Sequence, residues 1–157
     1  MWRVGGQGWV TVSTLTNYTP DARIRVLIAD DYPIVRNGLR LFLLAYNDLE
    51  LVGEAANGEQ AVKLCRQLNP DVVLLDLLMP VMGGLRATRV IHHYCPQTQI
   101  IILTTTGGED KLVQHALHEG ARYCLSKNVS AAQLAETIRL TAVHGASSFF
   151  PATPQNV

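Results

Sequence analysis

With 157 residues the chain has room for one domain with a substantial core, and its 48% apolar and 17% charged residues are an ordinary globular balance. Net charge is zero, so no overall pull toward nucleic acid or an acidic membrane surface is expected. No apolar run reaches the length of a membrane span, and the opening MWRVGGQGWVTVS lacks the charged-then-apolar order of a secretory signal.

Cys65, Cys95 and Cys124 are widely spaced and form no CxxC pair, which reads as reduced thiols packed as small hydrophobes in a cytoplasmic protein. Residues 1–22, rich in Gly, Thr, Ser and Asn, read as a tail, although Val10, Val12 and Thr14 alternate weakly with polar neighbours. Val26-Leu27-Ile28-Ala29 is a short apolar run stopped by Asp30-Asp31, and Pro33 opens a helix with Val35, Leu39 and Phe42 at helical spacing. A second strand is predicted over 51–55. Asn57-Gly58 then leads into a helix bearing Ala61, Val62, Leu64, Cys65 and Leu68, which ends at Asn69-Pro70.

Val72-Val73-Leu74-Leu75-Asp76-Leu77-Leu78-Met79-Pro80 is the third strand, and its lack of alternation argues for burial on both faces. After Gly83-Gly84 a helix runs to about Tyr94. Ile100 to Leu103 forms a fourth strand, followed by Thr104-Thr105-Thr106-Gly107-Gly108 and a helix over about 109–119. A short strand lies near Tyr123-Cys124-Leu125, and a last helix spans about 130–144 with Leu134, Ala135, Ile138 and Ala142 on one stripe. Strands and helices thus alternate five times, which calls for an α/β fold: a doubly wound parallel sheet of five strands between two helical layers. Residues 23–144 form the domain, and 145–157, with Pro151 and Pro154, read as a linker or a truncated end.

In open parallel sheets, ligands bind at the carboxyl ends of the strands. Asp30-Asp31, Asp76, Thr104 and Ser126-Lys127 end four strands at that edge, whereas the second strand ends in Ala55-Ala56. Taken singly, each has a plain structural reading. Asp31, ahead of Pro33, is as suited to capping the helix as to binding a ligand. Thr104 suits a strand-end hydroxyl, and Lys127 an exposed lysine. Taken together they favour a site, because clustered carboxylates repel unless a cation sits among them. Two or three carboxylates with no softer donor suit Mg²⁺, a hard ion that engages phosphate.

The run VLIADDYPIVRNGLRLFL, the run DVVLLDLLMPVMGGL, the Leu103-Thr104 pair and Lys127 resemble the receiver domain of two-component response regulators, with the NarL/FixJ subfamily as the nearest pattern. The resemblance covers about 25–144 and implies a CheY-like fold. It implies that Asp76 accepts a phosphoryl group from a phosphohistidine on a sensor histidine kinase or phosphotransfer protein. Asp30, Asp31, Asp76 and the backbone carbonyl of Leu78 would hold Mg²⁺, Lys127 would bind the phosphoryl oxygens, and Thr104 would swing toward them as the switch. It also implies a second copy of the chain as a partner, through either the fourth helix, fifth strand and fifth helix or the first and fifth helices. DNA would be engaged only through a C-terminal helix-turn-helix domain, for which residues 145–157 are too few.

Two departures stand out. The usual switch aromatic three residues before the lysine is Cys124, with Tyr123 one position earlier on the opposite face of a regular strand. The loop 105–110 is one residue longer than usual and contains Gly107-Gly108. Leu78 and Thr106 flank the expected path of attacking water, and Leu78 cannot orient it, so slow self-dephosphorylation is expected.

Other candidates are weaker. His115 and His118 lack a third metal ligand, His92 and His93 point apart around a helix, and Gly5-Gly6-Gln7-Gly8 lacks the context of a dinucleotide fingerprint. An aspartyl phosphohydrolase of the haloacid dehalogenase type would want a carboxylate where Leu78 stands, so the chain is read as no enzyme beyond moving phosphate onto and off itself. A phosphorylation-independent interaction module is the remaining alternative.

Overall fold

The computed structural model describes residues 22–105 and 110–146. All but the last residue of the expected tail, the glycines of the 105–110 loop, and 147–157 lie outside these residues. The elements are β1 (Ile24–Ala29), α1 (Pro33–Leu44), β2 (Leu49–Ala55), α2 (Gly58–Leu68), β3 (Val72–Leu75), α3 (Gly84–Tyr94), β4 (Gln99–Thr104), α4 (Lys111–His118), β5 (Tyr123–Ser126) and α5 (Ala131–Ala146). The five strands are parallel, in the order β2-β1-β3-β4-β5.

Strand periodicity divides the core in two. Leu27, Ala29, Val73, Leu75, Ile100 and Ile102 pack against Ala61 and Cys65 of α2, Ala87 and Ile91 of α3, and Val113 and Ala116 of α4. Their strand neighbours Val26, Ile28, Val72, Leu74, Ile101 and Leu103 pack against Leu43 of α1 and Leu134, Ala135 and Ile138 of α5. β3 is buried along its whole length, as its unalternating sequence predicts. No described helix is long and apolar enough to cross a membrane.

Several boundaries differ from expectation for local reasons. β1 and β2 begin earlier because Ile24 and Arg25 pair with Leu49 and Glu50. The register slips between Val26 and Leu27, which skips Val52 and leaves Gly53 opposite Leu27. β3 ends at Leu75, yet the Asp76 N–H still reaches the Ala29 carbonyl at 2.9 Å. Asp110 caps α4 by accepting from the Leu112 N–H at 2.7 Å, so the helix starts two residues later than predicted. α5 continues through Gly145 to Ala146.

Candidate phosphoacceptor site

The chain reverses direction across the sheet at β1, which has β2 on one side and β3 on the other. Asp30 directly follows β1 and Asp76 directly follows β3, so they share the carboxyl edge of the sheet at its switch point. The Asp30 N–H donates to the Ala55 carbonyl (3.1 Å), so both neighbouring strands anchor the turn. Asp30 is 2% and Asp76 5% exposed, which is rare for carboxylates.

Lys127 reaches in from the end of β5. Its Nζ lies 2.7 Å from Asp30 Oδ2 and 3.3 Å from Asp76 Oδ2, and its backbone N–H donates to the Thr104 carbonyl at 2.9 Å. Thr104, 1% exposed, thus stands beside the lysine at the same edge. One oxygen from each of Asp30, Asp31 and Asp76 falls within 4.8 Å of the others. The structure thus gathers Asp30, Asp31, Asp76 and the Lys127 ammonium, with Thr104 held beside the lysine through its backbone carbonyl.

Asp31 settles the choice left open by its sequence. The N-cap of α1 is Tyr32, with no side-chain cap, so Asp31 does not cap the helix. Instead Asp31 Oδ1 is buried without a hydrogen-bond partner. Asp30 is fully engaged: its Oδ1 accepts the Tyr32 N–H at 2.9 Å and its Oδ2 meets Lys127. A buried unpartnered oxygen on one of three carboxylates grouped within 4.8 Å suits a hard divalent cation.

Burial, reinforced by the charge of Asp30, holds the Asp76 carboxyl above the ordinary aspartate range; Lys127 and the Leu78 N–H pull it back down. For Lys127, burial acts against the charged form, but hydrogen bonding to Asp30 and the charge of Asp76 outweigh it and hold the ammonium above its usual value. The lysine is therefore a fixed cation facing the carboxyl groups of Asp30 and Asp76.

The Leu78 side chain is 58% exposed and its N–H points at Asp76. Cys124 packs toward the α2–α4 side and Tyr123 toward α1 and α5, so the two do lie on opposite faces of β5. Burial raises the Cys124 thiol and pushes Cys65 up to about 12, consistent with cysteines that serve as packing. His92, His93, His115 and His118 are exposed, and among the described residues the three aspartates are the one acidic, histidine or cysteine grouping with metal-binding spacing.

Two participants escaped the sequence. Arg36 donates to the Asp30 carbonyl at 2.7 Å, clamping the turn that carries both aspartates. The Tyr32 ring stands 6.0 Å from Lys127 Nζ, at the outer limit of a cation–π contact. Arg36 lies six residues beyond Asp30 on the first turn of α1, a placement that only the folded turn reveals.

A parallel five-stranded α/β sheet with an aspartate triad, a lysine and a threonine at its carboxyl edge defines a phosphoacceptor signalling module. The family model of the response regulator receiver domain matches residues 26–139, and the chain belongs to that family. It is similar to the transcriptional regulatory protein LiaR of Bacillus subtilis, 43% identical over 116 residues, which are 74% of this chain and 54% of that protein. It is also similar to the response regulator VraR of Staphylococcus aureus, 40% identical over 82% of this chain and 60% of that one. The chain thus spans little more than half the length of these relatives. Among solved structures, the receiver domain of a NarL regulator from Mycobacterium tuberculosis superposes with a TM-score of 0.73 at 30% identity, covering 77% of this chain and 97% of that one.

Proposed function

We propose that this receiver domain, residues 23–144, takes up a phosphoryl group on Asp76 from a phosphohistidine of a sensor histidine kinase or phosphotransfer protein. An Asp76 carboxylate oxygen attacks phosphorus in line, the P–N bond breaks, and the imidazole departs with its electron pair and takes a proton from water. Asp30, Asp31, Asp76 and the Leu78 carbonyl would hold Mg²⁺. When bound, the ion supplies positive charge that offsets repulsion between carboxylate and phosphoryl oxygens.

The protein's own groups do the rest. Rigid β3 fixes the nucleophile, and burial strips it of water. The Lys127 ammonium transfers its contact from Asp30 to the phosphoryl oxygens. The Thr104 hydroxyl donates to one of those oxygens and draws its loop inward, which is the switch. With a cysteine at 124, β5 carries no bulky aromatic to follow that motion on the α4 side, and Tyr123 lies on the other face. The apolar Leu78 side chain cannot orient a hydrolytic water, so self-dephosphorylation is slow. One relative is named a transcriptional regulatory protein, which supports an output in transcription control. A C-terminal DNA-binding domain, a cytoplasmic setting and a second copy as dimer partner are part of the same proposal and rest on the family resemblance.

The observation that carries this reading is the Lys127 ammonium held between Asp30 and Asp76 beside the unpartnered oxygen of Asp31. Intact-mass measurement after incubation with acetyl phosphate or phosphoramidate tests it. A gain of one phosphoryl group is expected, absent without Mg²⁺ and in Asp76→Asn. No gain from either donor in folded protein would favour a phosphorylation-independent interaction module.

A further inference from the structure

The loop from Leu77 to Gly84 joins Asp76 to α3, and backbone hydrogen bonds shape it at three points. The Gly84 N–H closes its base on the Leu77 carbonyl at 2.9 Å. At its tip the Met82 N–H turns back to the Pro80 carbonyl at 2.7 Å. The Gly58 N–H, at the start of α2, donates to the Met82 carbonyl at 2.9 Å and ties the tip to that helix. Met79 and Met82 pack against the α2–α4 side of the core, whereas Leu78 and Val81 are 58% and 77% exposed.

The bond from Met82 to Pro80 makes Val81 the centre of a three-residue γ-turn. Val81 has a φ of +66°, which identifies the rare and strained form of that turn. A β-branched residue suits this region poorly, because its side chain crowds the backbone carbonyl. Being exposed, it offsets little of that cost through packing. Such a conformation persists where its surroundings over-determine it. Here α2 supplies the constraint. A Cβ at Gly58 would stand 2.4 Å from the Met82 carbonyl oxygen, so glycine alone lets the helix come close enough to bond it.

Between the closed base and the strained tip lies Leu78. Its N–H points at Asp76, and its carbonyl is among the Mg²⁺ ligands proposed above. We propose that Val81 and Gly58 are positioning residues: the γ-turn at Val81, held to α2 through Gly58, fixes the Leu78 backbone beside Asp76 for the divalent ion. The inference rests on the reading of this edge as a Mg²⁺-assisted phosphoacceptor site. Both residues act through the loop, Val81 by its backbone angle and Gly58 by the room it leaves.

Three variants of the full chain test this. Val81→Pro holds φ near about −65° and forbids the turn without removing a buried side chain. Val81→Asn keeps it, because asparagine visits the left-handed region. Gly58→Ala presses on the Met82 carbonyl. Mg²⁺ is titrated against the rise in Tm, circular dichroism shows which variants are folded, and uptake from acetyl phosphate is timed at limiting and saturating Mg²⁺. Val81→Pro and Gly58→Ala should each need several-fold more Mg²⁺ for half of the full rise. Their uptake should be slow at limiting Mg²⁺ and approach the parent rate at saturation. Val81→Asn should match the parent in both measurements. Parent-like Mg²⁺ affinity in either of the first two, once folded, overturns the proposal, since the turn would then serve structure alone. So does a Val81→Asn as impaired as Val81→Pro, which would assign the effect to the valine side chain. A parent that neither responds to Mg²⁺ nor gains phosphate would remove the reading of the site itself, and the proposal with it.

Discussion

Asp30 and Asp31 are neighbours in sequence yet differ in what satisfies them. Asp30 spends both oxygens on protein partners, the Tyr32 N–H and the Lys127 ammonium, whereas Asp31 Oδ1 is buried with none. Leaving such an oxygen unpaired costs about 1–3 kcal/mol, a cost that a cation removes. Asp31→Asn should therefore leave the metal-free protein as stable as the parent or slightly more so, while abolishing its response to Mg²⁺. In the parent, Mg²⁺ at a hundred times its Kd should add about 2.7 kcal/mol, read as a rise in Tm. A parent with no Mg²⁺-induced shift, or a variant that keeps it, would remove the divalent site. The sequence shows that carboxylates gather at this edge, because strand ends in a parallel sheet share a side. Which oxygen is orphaned depends on the Tyr32 amide, a local Asx turn two residues on from Asp30, and on the reach of a lysine 97 positions along the chain, which no local pattern encodes.

At the scale of elements, the buried run of β3 was legible because a strand covered on both faces needs no polar alternation. The packing of the following loop was not. Gly83 and Gly84 look equivalent in sequence, but a Cβ on Gly84 would overlap the Asp76 carbonyl oxygen, while one on Gly83 meets only the Leu77 carbonyl at an ordinary 3.5 Å. α3 thus starts with its backbone pressed against Asp76, the proposed nucleophile, tied by the Gly84 N–H to the Leu77 carbonyl at 2.9 Å. Gly84→Ala should cost about 1–3 kcal/mol, because backbone and not a flexible side chain has to move. It should also slow phosphoryl uptake by displacing Asp76. Gly83→Ala should cost a few tenths of a kcal/mol and leave uptake near the parent rate, since an N-cap tolerates alanine poorly but without overlap. Equal losses in chemical denaturation for the two variants would show that the close approach does not position Asp76.

Across the whole molecule, the alternation of strands and helices determines the layers, and the order β2-β1-β3-β4-β5 follows from right-handed crossovers on both faces. The tie between the ends of the domain does not follow from any pattern. Arg139 of α5 grips Asp48 of the α1–β2 turn across 91 residues of sequence with two hydrogen bonds. That pairing holds the Asp48 carboxyl below its ordinary value, chiefly through the guanidinium hydrogen bonds. A depressed carboxylate contributes stability that is fully present above the unfolded pKa, about 4, and is lost as pH falls through the lower folded value. Asp48→Asn should therefore lower Tm modestly at neutral pH, and the gap from the parent should close as pH drops below about 4. Both side chains are partly solvated, so raising the salt concentration at neutral pH should narrow the same gap. Thermal melts over this pH range, with and without added salt, check both signs. A gap that persists unchanged in acid would mean that Asp48 acts through the geometry of the turn, where asparagine would differ by shape and not by charge.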